Sequence, residues 1–182
     1  GSESIFVDSS PYVTIDNNTL MSNFRGIRLQ SGNDNATITE NLIIDNNGCN
    51  NNDNCSGIFL LSYNPYVTIS DNQISNNGRY GIFIDDSSGN YVYVENNNIY
   101  SHSYGGVYID SYASAGHIRS NLIYDNGYYG IKVAYHYNDY GFYDIDISNN
   151  TIDNHQDYGI YYYPYNSSYT LNCYNNSVTN SG

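Results

Sequence analysis

An Asn followed two residues later by an aliphatic side chain recurs along the whole chain, and a repeat of this kind restricts the fold more than any single motif. The Asn stands at Asn18, Asn41, Asn72, Asn97, Asn121, Asn150 and Asn176, and Leu20, Ile43, Ile74, Ile99, Ile123, Ile152 and Val178 follow it. The intervals are 23, 31, 25, 24, 29 and 26 residues. A Gly-aliphatic pair comes next in six of the units: Gly26-Ile27, Gly57-Ile58, Gly81-Ile82, Gly106-Val107, Gly130-Ile131 and Gly159-Ile160. Self-similarity at about 20 to 50 residues marks a solenoid, in which each unit buries its apolar face only by stacking on its neighbours.

Within the third unit the apolar residues fall at Val67 and Ile69, then Ile74, then Ile82 and Ile84. That is the period-two pattern of short strands. Three such strands per unit, parallel and about 4.8 Å apart from coil to coil, predict an all-β protein. The class is a right-handed, single-stranded parallel β-helix of about six to seven coils, forming one domain over residues 1–182. Asn72 marks the corner between strands one and two. It is expected to take left-handed backbone and to bond along the stack. A second corner carries Asn23, Asn46, Asn77, His102, Asn126 and His155, and the Gly before each third strand is expected to permit a sharp turn. The leucine-rich frame and the calcium-binding nonapeptide, which share similar periods, are missing.

Five Lys+Arg against 18 Asp+Glu give a net charge of -13. Such a surface repels nucleic acid and anionic membrane. No apolar run approaches the roughly 18 residues of a membrane span, so no direct membrane insertion is expected, and no signal peptide is seen. Gly1-Ser2 reads as a cloning scar. Ser4 to Ser10 matches Gly81 to Ser87, the last strand of a later coil. The chain therefore opens inside a coil and closes inside another, as expected of a segment of a longer surface protein whose neighbouring coils would be partners.

With Asn77-Gly78-Arg79-Tyr80-Gly81-Ile82-Phe83-Ile84 and Val94-Glu95-Asn96-Asn97-Asn98-Ile99 in register, the chain resembles the right-handed parallel β-helix repeats of the periplasmic copper-maturation type and of carbohydrate-active enzymes. The resemblance covers nearly the whole chain and implies the fold, while that superfamily includes lyases, epimerases, hydrolases, adhesins and spacers. Among its catalytic members the mannuronan C5-epimerase group is similar at its active strand, Y-G-F-D-P-H-E. Tyr80-Gly81-Ile82-Phe83-Ile84-Asp85-Asp86 occupies that register, with Phe83 where the family has Asp and Asp85 where it has His. The comparison implies that the third strand is the working face.

If Ile82 and Ile84 point inward, Phe83 points outward. Down the stack that column reads Phe6, Arg28, Phe59, Phe83, Tyr108, Lys132 and Tyr161, and its neighbour reads Asp8, Gln30, Leu61, Asp85, Asp110, Ala134 and Tyr163. Exposed rings interrupted by cations and bordered by carboxylates suit a sugar chain. The expected ligand-binding residues are Phe59, Phe83, Tyr108, Lys132, Tyr161, Asp85 and Asp110. Such rings can equally serve cohesion between coils. Insertions at Gly48 to Ser56 and Ala134 to Asp144 would wall the face, and 20 of the 24 Tyr residues lie after residue 90.

Cys49 and Cys55 are expected to form a disulfide, which places the chain outside the cell or on its surface, and Cys173 to be free and buried. Stacked Asp85 and Asp110, with Asp86 adjacent, would repel unless a cation intervenes, and calcium suits such oxygen ligands. No cofactor is required. On strand one, Tyr93, His117 and Asp146 share an outward column flanked by Glu95 and Arg119. These are types a lyase or epimerase uses on acidic sugars, and they also suit a surface ladder in which Glu95 pairs with Arg119. The leading reading is a non-catalytic segment of a secreted or surface protein holding a polysaccharide or cell-surface glycan on its third-strand face. The alternatives are a polysaccharide lyase or C5-epimerase using His117, Asp146, Arg119 and Tyr93, and a spacer or adhesin stalk.

Overall fold

The computed structural model describes residues 2–48, 55–85, 90–110, 114–134, 145–163 and 170–182. Its strands form three parallel sheets of seven strands each, with no helix among the described residues. Every coil gives one strand to each sheet; in the third coil these are Thr68–Ser70, Gln73–Ser75 and Tyr80–Ile84. Each coil lies directly on the one before it, so the molecule is a parallel β-helix of the right-handed type.

The strand register reproduces the repeat. Ile15, Ile38, Ile69, Val94, Ile118, Ile147 and Cys173 pair along the first sheet. Leu20, Ile43, Ile74, Ile99, Ile123, Ile152 and Val178 do so along the second. The third aligns Ile5, Ile27, Ile58, Ile82, Val107, Ile131 and Ile160. These columns meet in one continuous core, where each Ile or Leu buried contributes about 1.5–3 kcal/mol. Cys173 keeps its place in the column and its thiol is free, but it is exposed rather than buried, because among the described residues its strand is the last of its sheet.

The corners work differently from the sequence expectation. The left-handed residue is the one before each ladder Asn: Asn17, Glu40, Asp71, Asn96, Ser120, Asn149 and Asn175 have φ between 53° and 57°. That kink turns the next amide under the corner, where it serves several backbone groups at once. Asn97 Nδ2 donates to Ile69 O (2.9 Å), Glu95 O (2.9 Å) and Asn121 Oδ1 (3.1 Å), while its Oδ1 accepts from the backbone N and Nδ2 of Asn72, both at 3.0 Å. The amide chain is unbroken from Asn18 to Asn176. The Gly before each third strand is not left-handed at any of the six positions. Space decides those sites. A Cβ on Gly57 would lie 2.7 Å from Ile74 Cγ2 and 2.9 Å from Gly81 O, and one on Gly130 would lie 2.6 Å from both Gly159 O and Ile152 Cγ2.

The second corner repeats the device less uniformly. Asn46 Nδ2 donates to Asn77 Oδ1 at 2.9 Å, but His102 interrupts the series, with Nδ1 against Asn126 Oδ1 at 2.9 Å and a buried Nε2 that has no partner. Burial pushes the His102 imidazole down to about 4 against the Asn126 bond that opposes it, and burial also depresses His155. A short ladder also runs at the third corner, where Asn33 Nδ2 donates to Asn64 Oδ1 at 2.8 Å.

Asn97→Ala should lower unfolding free energy by about 2–4 kcal/mol in urea titrations, since it strands buried backbone acceptors and the Asn72 amide. His102 sets a pH dependence. It is neutral in both states above about 6.5, and between there and about 4 the unfolded chain holds the extra proton, so stability falls with pH by roughly 3 kcal/mol for this group. The difference in urea midpoint between pH 7 and pH 4.5 should therefore shrink in His102→Asn.

Candidate functional site

The outer face of the third sheet carries the predicted column in the predicted order: Phe6, Arg28, Phe59, Phe83, Tyr108, Lys132 and Tyr161 are successive partners. Its exposure is not as predicted. Phe59, Phe83 and Tyr108 are 1%, 3% and 5% exposed, and with Tyr80 and Ala134 they form a second apolar cluster outside the solenoid core. The reason is a neighbouring column, Ser56, Tyr80, Gly105, Tyr129 and Tyr158, which lies on the same face. Tyr80 leans across to Phe83 at 5.3 Å and to Tyr108 at 5.0 Å, and Phe83 stacks on Tyr108 at 5.0 Å with 3° between the planes. The three rings expected to meet sugar are therefore the underlayer of this face.

The accessible rings lie over and beside that layer, toward the C-terminal coils. Tyr104 packs against Tyr80 at 5.4 Å and Tyr128 at 4.9 Å. Tyr129 stacks on Tyr158 at 6.0 Å and meets Tyr161 at 5.4 Å. Tyr128, Tyr158 and Tyr163 are exposed. The sequence held the signal for this column, since Tyr precedes the Gly-Ile pair at Tyr80-Gly81, Tyr129-Gly130 and Tyr158-Gly159.

Four of the five Lys and Arg residues, Arg25, Arg28, Arg79 and Lys132, sit on this face, each over an aromatic ring. The guanidinium of Arg79 is 4.4 Å from the Tyr104 centroid, and the Lys132 ammonium is 4.4 Å from Tyr108 and 5.6 Å from that same Tyr104 ring. Burial lowers Lys132, with Arg79 adding to the shift and Asp110 opposing it. Burial, then the Asp110 carboxylate, holds the Tyr108 phenol protonated well above its ordinary range. Lys132 thus has the Asp110 carboxylate as an electrostatic neighbour. Asp85 borders the face half-buried, and Asp86 lies outside the described residues, as do most of the two insertions.

On the first sheet, Tyr93, His117 and Asp146 are register partners as predicted. Glu95 joins them: its Oε1 contacts His117 Nε2 and takes Arg119 NH2 at 3.0 Å. Partial burial works to raise Glu95, but His117 and then Arg119 hold it below the usual carboxylate range. Tyr93 packs on His117 at 4.7 Å, and Tyr174 donates to Asp146 at 2.9 Å. A shallow polar groove also follows the second corner past Asn76, Asp125 and Asn154, but its acid, Asp125, is already engaged by Asn154 at 2.6 Å.

These features define a parallel β-helix with one ring-and-cation face. The chain belongs to the NosD family, described as periplasmic copper-binding protein, whose model matches residues 1–138 and 66–182. Two solved structures of mutant forms of the periplasmic alginate epimerase AlgG are similar, with TM-scores of 0.76 and 0.73 at 16% identity. Each match covers 96% of this chain and 42% of the epimerase, and at that identity it shows the shared fold. None of the curated proteins compared matches the chain. The family description and these structures agree with an envelope or extracellular location. Copper does not fit the described residues. No three His, Cys, Asp or Glu side chains converge among them, His102 and His155 are built into the second corner, and the exposed Cys173 and Met21 stand at opposite ends of the stack.

Phe83→Ala should behave as a core truncation, costing about 3–5 kcal/mol. Tyr128→Ala should stay within about 0.5 kcal/mol of the parent; urea denaturation compares the two.

Proposed function

We propose that this chain is a non-catalytic envelope or extracellular β-helix that holds an acidic polysaccharide along the outer face of its third sheet. The single observation behind this reading is the gathering of cations against rings: in a chain of net charge -13, Arg79 and Lys132 share the Tyr104 ring. Ammonium and guanidinium groups there would meet carboxylates of a uronate chain, while Tyr128, Tyr129, Tyr158, Tyr161 and Tyr163 stack on its C-H faces. The underlying Phe59, Phe83 and Tyr108 keep that surface rigid, and Asp110 orients Lys132. Carrying the cations on rings keeps them at fixed positions despite their flexible stems. A Cys49–Cys55 disulfide would fit an oxidising setting, and the complete burial of Cys55 is compatible with it; Cys49 lies outside the described residues.

The grouping of Tyr93, His117, Glu95, Arg119 and Asp146 on the first sheet favours a second reading, a lyase or C5-epimerase acting on acidic glycans. His117 would exchange the C5 proton and Arg119 would neutralise the uronate. Incubation with alginate or pectin, followed by absorbance of unsaturated products and by proton NMR, separates the two readings, and a spacer would be blank in these assays and in binding.

Calorimetric titration with oligo-uronates should show binding that weakens with salt. Lys132→Met and Arg79→Met should each reduce affinity about tenfold, or about 1.4 kcal/mol, with melting temperature held. Unchanged affinity in both variants overturns the proposal.

A further inference from the structure

Left-handed backbone is required at many corners of this fold, and the sequence meets the requirement in a consistent way. Among the described residues, 21 non-glycine positions have φ between 48° and 65°, and 17 of them are Asn, Asp or Ser. Such short polar side chains tolerate that conformation, whereas in bulky residues it is a real outlier. Three of the four exceptions are tyrosines: Tyr12, Tyr66 and Tyr91, at 60°, 62° and 65°. All three occupy one column, at the third corner where the chain enters the first sheet, on coils one, three and four. Asn35 fills the same position on coil two.

Burial does not explain these rings. Tyr12, Tyr66 and Tyr91 are 74%, 47% and 40% exposed, and none belongs to either apolar cluster. Asn35 shows that the corner closes with the residue type used everywhere else. The rings of Tyr66 and Tyr91 are nonetheless in order, 5.3 Å apart and 3° from parallel. Strain retained at a surface position where a less strained residue would serve points to what that position presents to solvent.

We propose that Tyr12, Tyr66 and Tyr91 form a second binding strip, which takes an uncharged polysaccharide running along the solenoid axis. The coils are about 4.8 Å apart, close to the length of one hexose in an extended chain, so sugar faces and rings meet in step. Pyranose C-H faces stack on phenol rings, and the phenol hydroxyls and the Asn35 amide bond to sugar hydroxyls. Charge selects the ligand. None of the five Lys and Arg residues lies in the corner segments 9–13, 31–36, 62–67 or 90–92, and Asp34 does, so a uronate chain is disfavoured there and a neutral one is accepted. The strip is independent of the cationic face.

The test is affinity electrophoresis of the full chain through gels containing hydroxyethylcellulose, galactomannan or laminarin, with a triple variant Tyr12→Asn, Tyr66→Asn, Tyr91→Asn. The parent should be retarded by at least one of these neutral glycans, and the variant should lose at least tenfold in affinity while its melting temperature stays equal or rises. Lys132→Met should leave this retardation intact, which separates failure of this strip from failure of the acidic site. Absence of retardation of the parent in all three gels overturns the proposal, as does equal retardation of the triple variant. A fall in the variant's melting temperature would make the rings structural, and capture of a proline-rich peptide in place of glycan would assign the strip to another class of partner; either result also overturns it.

Discussion

The amide ladder is the interaction on which the rest of the molecule depends. Corners are where a parallel β-helix leaves backbone groups that no sheet can reach, and a buried amide without a partner costs about 1–3 kcal/mol. From Asn18 to Asn150 each ladder Asn donates to the Asn of the next coil, and its amide also reaches carbonyls around the corner, as Asn97 does to Ile69 and Glu95. That fixes the coil-to-coil register at the first corner. The Gly column then allows the third-sheet strands to close over the core, where a Cβ would collide with the neighbouring coil. With register and spacing set, every outward side chain stands above its counterpart.

This alignment produces the working face. Aromatic residues from adjacent columns and the corner before them converge into a two-layer arrangement, with Phe59, Phe83, Tyr80 and Tyr108 beneath and Tyr104, Tyr128 and Tyr158 above. Arg79 and Lys132 lie against that upper layer. Only three other Lys and Arg residues exist in the chain, so two of its five cations stand together on one strip, with the Asp110 carboxylate as a neighbour of Lys132. The first sheet carries a different surface, in which the Glu95 carboxylate contacts His117 and pairs with Arg119.

The fold was legible because the repeat is written in inward residues. Ile82 and Ile84 alternate with Phe83 whatever lies outside them, and the register followed from aligning the Asn and Gly positions. Burial on the outer face was not legible, since it depends on side chains in a second column, and Tyr80 and Tyr129 in that column stand before the Gly-Ile pair that carries the repeat. The position of the left-handed residue was missed by one place, because Asn is equally at home in the kink and in the ladder. The column of Cys173 is legible in its register with Ile147, whereas its exposure depends on stacking that a column position alone does not encode.

Inter-coil hydrogen bonds in this molecule run along the axis, while the covalent chain runs around it. Tension applied at one end therefore loads the terminal coil first and detaches it before its neighbours feel the strain. Each detached unit of 23 to 31 residues would release roughly 80 to 105 Å of extended chain. A polymer held by such a protein would be tethered through a mechanical fuse that lengthens in steps.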